Sequence, residues 1–108
     1  MNILEPEFCH KDNRRKLTQL FTKDIKQVNY YQAKRGASLG DHYHKETIEI
    51  FLITKGSLIY NDSKVFSKGD LFSVYPEENH KLECLTDVDL VSFLTRPYSK
   101  ESTDIWKK

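Results

Sequence analysis

The sequence predicts an all-β fold in a single domain, and three observations support this prediction. From about Leu17 onward, short stretches rich in β-branched and aromatic residues alternate with Gly, Asn, Asp and Ser, as strands alternate with turns. No segment keeps a helical period of apolar residues over the length of an ordinary helix. The length of 108 residues suits one domain and is too short for two. Many short strands in such a chain favour a sandwich or a closed barrel.

Eight strands are expected, separated by turn residues such as those of Lys68-Gly69-Asp70. In chain order they are Lys16–Phe21, Val28–Arg35, Ile48–Thr54, Ser57–Tyr60, Lys64–Phe66, Leu71–Val74, Lys81–Leu85 and Val88–Thr95. We therefore expect one domain over residues 1–108, with a barrel core at about 16–98 and a polar tail at 99–108. Ile105 and Trp106 are the large apolar residues of this tail, which is expected either to fray or to dock them on the barrel or on a partner.

The composition excludes several classes of protein. The formal net charge is +1, from 17 basic and 16 acidic residues, so no overall field attracts nucleic acid. The basic run Lys11–Lys16 is interpreted as a solvated surface segment rather than a phosphate contact. The longest apolar run, Ile50–Ile53, is far too short to span a membrane. The first residues show no secretory pattern, and Cys9 and Cys84 lack ligand spacing and are expected to be reduced thiols, so a cytoplasmic protein is expected.

Two histidines and a glutamate form the first part of a candidate metal site. His42 and His44 are two residues apart, and in a strand this spacing points both rings to one face. Residues 45–47 are polar enough to form a turn, after which Glu49 opens the next strand and a hairpin returns it beside the histidines. Both faces of the strand Ile48–Thr54 are apolar, which predicts burial on both sides or a subunit interface.

A third histidine completes the set. His80 precedes Lys81-Leu82-Glu83-Cys84, whose alternation places Leu82 and Cys84 on its side and the two charged residues opposite, so His80 is expected to face inward. Three imidazoles and one carboxylate suit a divalent transition metal such as Fe, Mn, Ni or Zn. Four ligands on an octahedral ion leave two positions for water, substrate or dioxygen.

The spacing of these residues resembles the two motifs of the cupin superfamily. The stretch Gly36 to Gly56, GASLGDHYHKETIEIFLITKG, matches the first cupin motif at every fixed position, including His42, His44 and Glu49. The second motif keeps the spacing from Gly69 to His80. It departs from the pattern at positions usually occupied by proline, glycine and asparagine, where this chain has Tyr75, Glu77 and Cys84. The two motifs cover about residues 36–84.

The resemblance implies a single-domain cupin, which is a double-stranded β-helix or jelly-roll barrel. It also implies that His42, His44, Glu49 and His80 take the ligand positions of the family's metal, although some cupins have lost their metal. Homodimers are the family's habit, and the doubly apolar strand Ile48–Thr54 favours one here. The string RGASLGDHYHK resembles cupins of polysaccharide and nucleotide-sugar metabolism, some of which isomerise or epimerise keto-sugars.

Other residues are candidates for a substrate pocket. Aromatic and basic side chains on the predicted strands provide them, with core packing or surface exposure as the alternative in each case. These residues are Tyr30, Phe51, Tyr60, Phe93 and Arg35. Arg96 could hold an anionic substrate. Glu46 could act as an acid or base, but its position in a turn favours a solvated side chain. His10 is interpreted as a surface residue.

Three functions remain open at this point. The first is a metal-dependent enzyme, either an isomerase or epimerase or an oxygenase, that acts on a small polar metabolite such as a sugar or nucleotide-sugar. The second is a non-catalytic sensor module that binds a metabolite or a metal in the same barrel. The third is metal-free acid/base catalysis in which a histidine removes a proton next to a carbonyl group.

Overall fold

The computed structural model of the protein describes residues 1–99 and 103–107, which form strands, turns and loops without a helix. The expected all-β fold is therefore confirmed. Eleven strands lie in the described residues. In chain order they are β1 (Asn2–Ile3), β2 (Phe8–Lys11), β3 (Lys16–Gln19), β4 (Gln27–Ala33), β5 (Ser38–His42), β6 (Glu49–Lys55), β7 (Ser57–Tyr60), β8 (Lys64–Ser67), β9 (Leu71–Val74), β10 (His80–Cys84) and β11 (Val88–Leu94).

Two antiparallel sheets form the walls of the barrel. One has five strands in the order β1-β9-β6-β11-β4, and the other has four in the order β5-β10-β7-β8. Strands β2 and β3 pair with each other in a separate hairpin. Because β5 and β6 lie in different sheets, as do β8 and β9, the chain crosses repeatedly from one wall to the other. This arrangement is that of a jelly roll.

Apolar side chains fill one end of the space between the two sheets. Alternate residues point inward, so every second residue of β11 is buried. At this end, the rings of Phe66 and Phe72 stack with their centroids 4.0 Å apart, and Phe51 stacks on Phe72 at 5.1 Å. Phe66 and Phe72 are 2% and 0% exposed, so this packed end is the hydrophobic core.

The eight predicted strands are all present, with ends that differ by a few residues. Two further strands, β1 and β2, have no counterpart in the prediction, and a third, β5, corresponds to the strand expected at His42. The run Lys11–Lys16 forms the turn of the β2–β3 hairpin, where Asp12 accepts hydrogen bonds from the main-chain N–H groups of Arg14 and Arg15. Short exposed strands of this kind carry too little apolar periodicity to be recognised from sequence.

Strand β6 is buried on its inner face and partly covered on its outer face. Phe51 and Ile53 face the barrel interior and are buried. On the opposite face Ile50 is 0% exposed, Leu52 is half-buried and Thr54 is exposed. Both alternatives for this strand, burial on both sides and a subunit interface, therefore stay open.

The remaining features concern the cysteines and the membrane. Cys9 is exposed on β2, Cys84 is buried on β10, and both are free. Within residues 1–99 and 103–107 we find no helix with the length and apolar character needed to cross a membrane.

Candidate active site

Four side chains converge at the end of the barrel opposite the aromatic core. The potential ligand atoms of His42, His44, Glu49 and His80 all lie within 4.8 Å of one another. His42 ends β5 and His80 begins β10, both in the four-stranded sheet, whereas Glu49 begins β6 in the five-stranded sheet. His44 lies in the loop that joins β5 to β6. The cluster therefore bridges the two sheets.

A β-bulge orients His42. In the ladder between β5 and β10, Gly40 pairs with Lys81 and His42 pairs with His80, which leaves Asp41 as an extra residue. Gly40 and Asp41 both have left-handed backbones, with φ of +84° and +109°. The bulge places the His42 ring against that of His80, with centroids 4.4 Å apart.

The structure corrects the expected path of the chain around this bulge. The prediction of one strand carrying both His42 and His44 is wrong, because β5 ends at His42. The predicted hairpin to Glu49 is also wrong, because β6 belongs to the opposite sheet. The crossing loop nevertheless turns the His44 ring inward, with its centroid 5.2 Å from that of His42.

The loop before His80 keeps a turn that favours glycine. Glu77, which stands where the second cupin motif usually has glycine, has a φ of +71°. Its main-chain N–H donates a hydrogen bond of 2.6 Å to the carbonyl of His44. The departure from the motif at Glu77 thus leaves the left-handed turn in place, and this turn connects the loop before His80 to the loop that carries His44.

Glu49 is the centre of the hydrogen-bond network in the cluster. The residue is 6% exposed, and its Oε1 lies 3.0 Å from Nε2 of His44 and 3.6 Å from Nε2 of His80. Its Oε2 accepts a hydrogen bond of 2.8 Å from the hydroxyl of Ser92 on β11. Burial alone would raise the pKa of Glu49, but the hydrogen bond from His44, the nearby His80 and the Ser92 hydroxyl together lower it.

The three histidines have different protonation preferences. Burial lowers the pKa of His80 to about 4, and burial together with the nearby His44 lowers the pKa of His42. Burial also opposes the charged form of His44, but its hydrogen bonds to Glu49 and to the carbonyl of Asp104 outweigh that effect and raise its pKa. At neutral pH the metal-free site thus favours neutral His42 and His80 beside a more basic His44.

The cluster forms part of the wall of a cavity of about 490 Å³. The volume falls in the range that accommodates a small molecule. Leucines, Phe51 and Ile105 form the apolar part of the wall, and the His/Glu cluster and neutral polar side chains line the rest. The lining residues are Gln27, Asn29, Tyr31, Ser38, Leu39, Gly40, His42, His44, Glu49, Phe51, His80, Leu82, Leu90, Leu94, Tyr98 and Ile105.

Of the residues expected in the pocket, Phe51 lines the cavity and Tyr30 does not. Tyr30 is 60% exposed on the outer face of β4, where its hydroxyl donates to Asp89. The inward residues of this strand are Gln27, Asn29 and Tyr31. The usual pattern is reversed here, with polar residues inside and apolar residues outside, because the strand faces a cavity rather than a packed core.

Three other expected pocket residues also lie elsewhere. Tyr60 is buried in the aromatic core and donates a hydrogen bond to Glu78. Phe93 packs edge-on against Phe21, with centroids 5.1 Å apart. Arg35 is an exposed turn residue whose main-chain N–H donates to Asp87. Each prediction rested on residue type alone, and strand parity or the position in a turn decides the actual environment.

Glu46 and Arg96 form an ion pair with each other outside the cavity wall. Their side chains are 60% and 49% exposed, which agrees with the solvated interpretation of Glu46. Tyr98 and Ile105 line the cavity without having been predicted to do so. A sequence signal for them is hard to find, because both follow the last strand and reach the cavity through loop conformation.

The donor set fits a divalent transition metal. Metal–ligand bonds of about 2.1 Å place two ligand atoms at most about 4.2 Å apart, close to the 4.8 Å limit found here. Nδ1 of His44 lies 2.6 Å from a main-chain carbonyl, an arrangement typical of metal-binding histidines. Nδ1 of His80 is buried and has no hydrogen-bond partner among the described residues. The structure thus contains a donor set suited to a divalent metal.

The barrel and its inward His/Glu cluster define the class of fold, which is the cupin jelly roll. Solved structures with the same fold include QdtA, a sugar 3,4-ketoisomerase from Thermoanaerobacterium thermosaccharolyticum determined in complex with TDP. The two chains are 17% identical with a TM-score of 0.75, over 99% of this chain and 87% of QdtA. The dTDP-4-dehydrorhamnose 3,5-epimerase from Sulfolobus tokodaii is 20% identical to this chain with a TM-score of 0.67, over 86% of this chain and 69% of the epimerase.

A third similar structure is the capsular polysaccharide assembling protein CapF from Staphylococcus aureus. It is 21% identical to this chain with a TM-score of 0.65, over 93% of this chain. The chain spans about a third of CapF, at 33% of its length. No protein-family model matches the sequence, and no curated protein matches it either. At these identities the similarities establish the fold alone.

Proposed function

We propose that the protein is a sugar isomerase or epimerase that moves a proton next to a carbonyl group. The observation that carries this proposal is the convergence of His42, His44, His80 and Glu49 on a cavity of about 490 Å³. A set of imidazoles beside a carboxylate supplies both a proton acceptor and a proton donor within one pocket. The cavity has room for a sugar ring or a sugar carrying a further group.

The wall of the cavity supports a polyhydroxylated substrate. Gln27, Asn29 and Ser38 bring neutral donors and acceptors to it, and Tyr31 adds a phenol. Leucine side chains provide apolar surface for the face of a ring. Two of the similar structures are a sugar 3,4-ketoisomerase and a dTDP-sugar epimerase, and the first was determined with TDP bound. Keto-sugars linked to a nucleotide are therefore the first substrates to test.

The opposite pKa shifts of His42 and His44 assign their roles in the metal-free site. Neutral His42 takes the proton from the carbon next to the carbonyl, and protonated His44 donates a proton to the carbonyl oxygen. The product of this step is an enediol. Return of a proton to the neighbouring carbon, or to the other face of the same carbon, gives the isomer or the epimer. Each proton taken up is given back, so no oxidant is required.

We also propose that the cluster can bind a divalent transition metal, with His42, His44, Glu49 and His80 as its ligands. A metal bound there supplies Lewis-acid polarisation of the carbonyl oxygen. Ser92 then holds the free oxygen of Glu49, and the carbonyl of Asp104 holds Nδ1 of His44. Metal analysis of protein purified without a nickel column distinguishes the two forms of the site.

The test of the proposed function is isotope exchange. The protein is incubated in D₂O with nucleotide-linked keto-sugars and with free ketoses, and deuterium uptake next to the carbonyl is followed by mass spectrometry. We expect uptake with the native protein and none with a His42→Ala, His44→Ala double variant. EDTA should leave the uptake unchanged if the site works without a metal and abolish it if the site works with one. Tight binding of these sugars without uptake would instead support the non-catalytic sensor.

For assembly we propose a homodimer. Strand β4 supports this assembly, because it lies at the edge of the five-stranded sheet and carries two exposed apolar side chains on its outer face. Val28 is 57% exposed and Tyr30 is 60% exposed. Exposed sheet edges with apolar side chains favour pairing with a second chain. Light scattering at micromolar concentration is expected to give twice the chain mass, and a Val28→Lys, Tyr30→Lys variant is expected to give a monomer. A monomeric native protein would contradict this assembly.

A further inference from the structure

Residues 103–107, which we call the C-terminal strap, lie on the loop that presents His44. The carboxylate of Asp104 accepts hydrogen bonds from the main-chain N–H groups of Lys45, Glu46 and Thr47, at 2.9, 2.8 and 2.8 Å. It also accepts one of 2.8 Å from the Thr47 hydroxyl. These four donors belong to the three residues that follow His44, and a fifth, the indole N–H of Trp106 at 3.0 Å, belongs to the strap itself. The shape of the crossing loop therefore depends on this one carboxylate.

The main chain of the strap contacts His44 directly. Nδ1 of His44 lies 2.6 Å from the carbonyl oxygen of Asp104. A carbonyl oxygen only accepts hydrogen bonds, so Nδ1 must carry the hydrogen. Nε2 is then the atom directed at Glu49, whose Oε1 is 3.0 Å away. The strap thereby fixes which nitrogen of His44 is available inside the cavity.

The rest of the strap completes its attachment on the other side of His44. Tyr43 and Trp106 exchange two main-chain hydrogen bonds, of 2.8 and 2.9 Å. The ammonium group of Lys45 lies 3.9 Å from the centroid of the Trp106 ring. Ile105, between Asp104 and Trp106, forms part of the cavity wall. Docking of the strap thus fixes the residues on both sides of His44 and closes part of the cavity.

We propose that Asp104 is a positioning residue for the site: its carboxylate docks the C-terminal strap on the 43–47 loop, and the docked strap holds Nδ1–H of His44 on the carbonyl of Asp104 so that Nε2 faces the cavity. The inference rests on the proposed function only in taking His44 as a site residue. It holds for both forms of the site, because acid/base catalysis and metal binding each use Nε2 of His44.

The test compares Asp104→Ala with Asp12→Ala. Asp12 is a matched control, because it also accepts main-chain N–H groups in a turn, but in the β2–β3 hairpin. Trp106 is the one tryptophan of the chain, so its fluorescence reports strap docking without a label. The Trp106 indole itself donates to Asp104, so the emission wavelength responds to the substitution directly and acrylamide quenching is the readout. We expect Asp104→Ala to make Trp106 clearly more accessible to acrylamide and Asp12→Ala to leave its accessibility unchanged.

The second readout is the tautomer of His44, measured by ¹⁵N NMR of histidine-labelled, metal-stripped protein. The spectra are recorded at a pH above the titration of His44, where its ring is neutral. There we expect the Nδ1–H signals of His44 in the native protein and a mixture of both tautomers in Asp104→Ala, with assignment by a His44→Gln variant. The rate of deuterium uptake at saturating sugar should fall about 10–100-fold, the usual range for a residue that orients a site histidine. Asp104→Asn, which keeps one side-chain acceptor, should recover part of each change.

An undocked strap with an unchanged His44 tautomer would overturn the inference, as would a native-like Trp106 signal in Asp104→Ala. If Asp104→Ala does not fold, Asp104→Asn decides by the same two spectra. The spectra require no turnover, so a failure to find a sugar substrate overturns the proposed function without affecting this result.

Discussion

The two ends of this barrel are built from the same alternating strands and differ in what their inward residues do. At one end, Phe66 and Phe72 stack at 4.0 Å and leave no exposed surface of consequence. At the other, Gln27, Asn29 and Tyr31 replace apolar residues on β4, and a cavity opens above the His/Glu cluster. Strands with the same alternating pattern therefore build a packed core at one end and a cavity at the other, according to the side chains that point inward. Phe51 marks the boundary, stacking on Phe72 while lining the cavity.

The largest effect is expected at the packed end. Phe72→Ala removes a ring with 0% exposure that stacks on two others, so it should lower the free energy of unfolding by about 3–5 kcal/mol. Urea unfolding followed by circular dichroism measures this loss. A loss below about 1 kcal/mol would show that the aromatic stack is not the stabilising half of the barrel.

The second effect is a loss of stability in acid that originates at the site end. The pKa of His80 is about 4 in the folded chain against an ordinary value of 6.5. Between these values the unfolded chain binds a proton that the folded chain does not, so stability falls as the pH falls from 6.5 to 4. A shift of this size corresponds to up to about 3 kcal/mol across the window. Urea midpoints of metal-stripped protein measure it.

His44 contributes with the opposite sign at higher pH. Its pKa is raised, so its stabilising contribution is complete below the unfolded value and is lost as the pH rises through the folded value. A His80→Gln variant should flatten the acid side of the profile and leave the alkaline side unchanged. An acid side as steep as that of the native protein would assign the loss to other groups.

A smaller effect is expected for Ser92→Ala. The Ser92 hydroxyl is 0% exposed and donates to the buried carboxylate of Glu49. Its removal leaves one carboxylate oxygen without this donor and should cost about 1–3 kcal/mol. It should also raise the pKa of Glu49 towards its ordinary value, so that the part of the acid loss of stability that comes from Glu49 becomes smaller. A Ser73→Ala variant is the control, since Ser73 is also a buried serine but has no hydrogen-bond partner for its hydroxyl among the described residues.

The smallest effect on stability is expected for His42→Ala. The side chain is half-buried at the edge of the cavity, so its loss should change the free energy of unfolding by less than about 1 kcal/mol. Deuterium uptake should nevertheless fall by about 100-fold or more, because the proton acceptor is gone. A variant with full exchange activity would remove His42 from the mechanism.

Much of this contrast is predictable from sequence, and the rest depends on three-dimensional features. Alternation predicts the inward direction of His80 and the apolar character of both faces of β6, and the motif spacing groups the four residues that the structure brings together. The bulge at Gly40-Asp41 is different, because a bulge shifts strand parity without a distinctive sequence signal. The prediction that Tyr30 lines the pocket failed for a related reason, because polar residues that point inward look like outward residues in a sequence.

The location of the cluster has a further consequence for motion. His42 and His80 belong to one sheet and Glu49 to the other, so the contacts of Glu49 with these histidines cross the interior of the barrel. Any separation of the two walls must pull these contacts apart. A metal or substrate that binds to groups on both walls stabilises the closed barrel. Main-chain amides on β6 and β10 should then exchange their hydrogens more slowly in its presence. Opening of the barrel and binding at the site are therefore thermodynamically linked, because each lowers the population of the other.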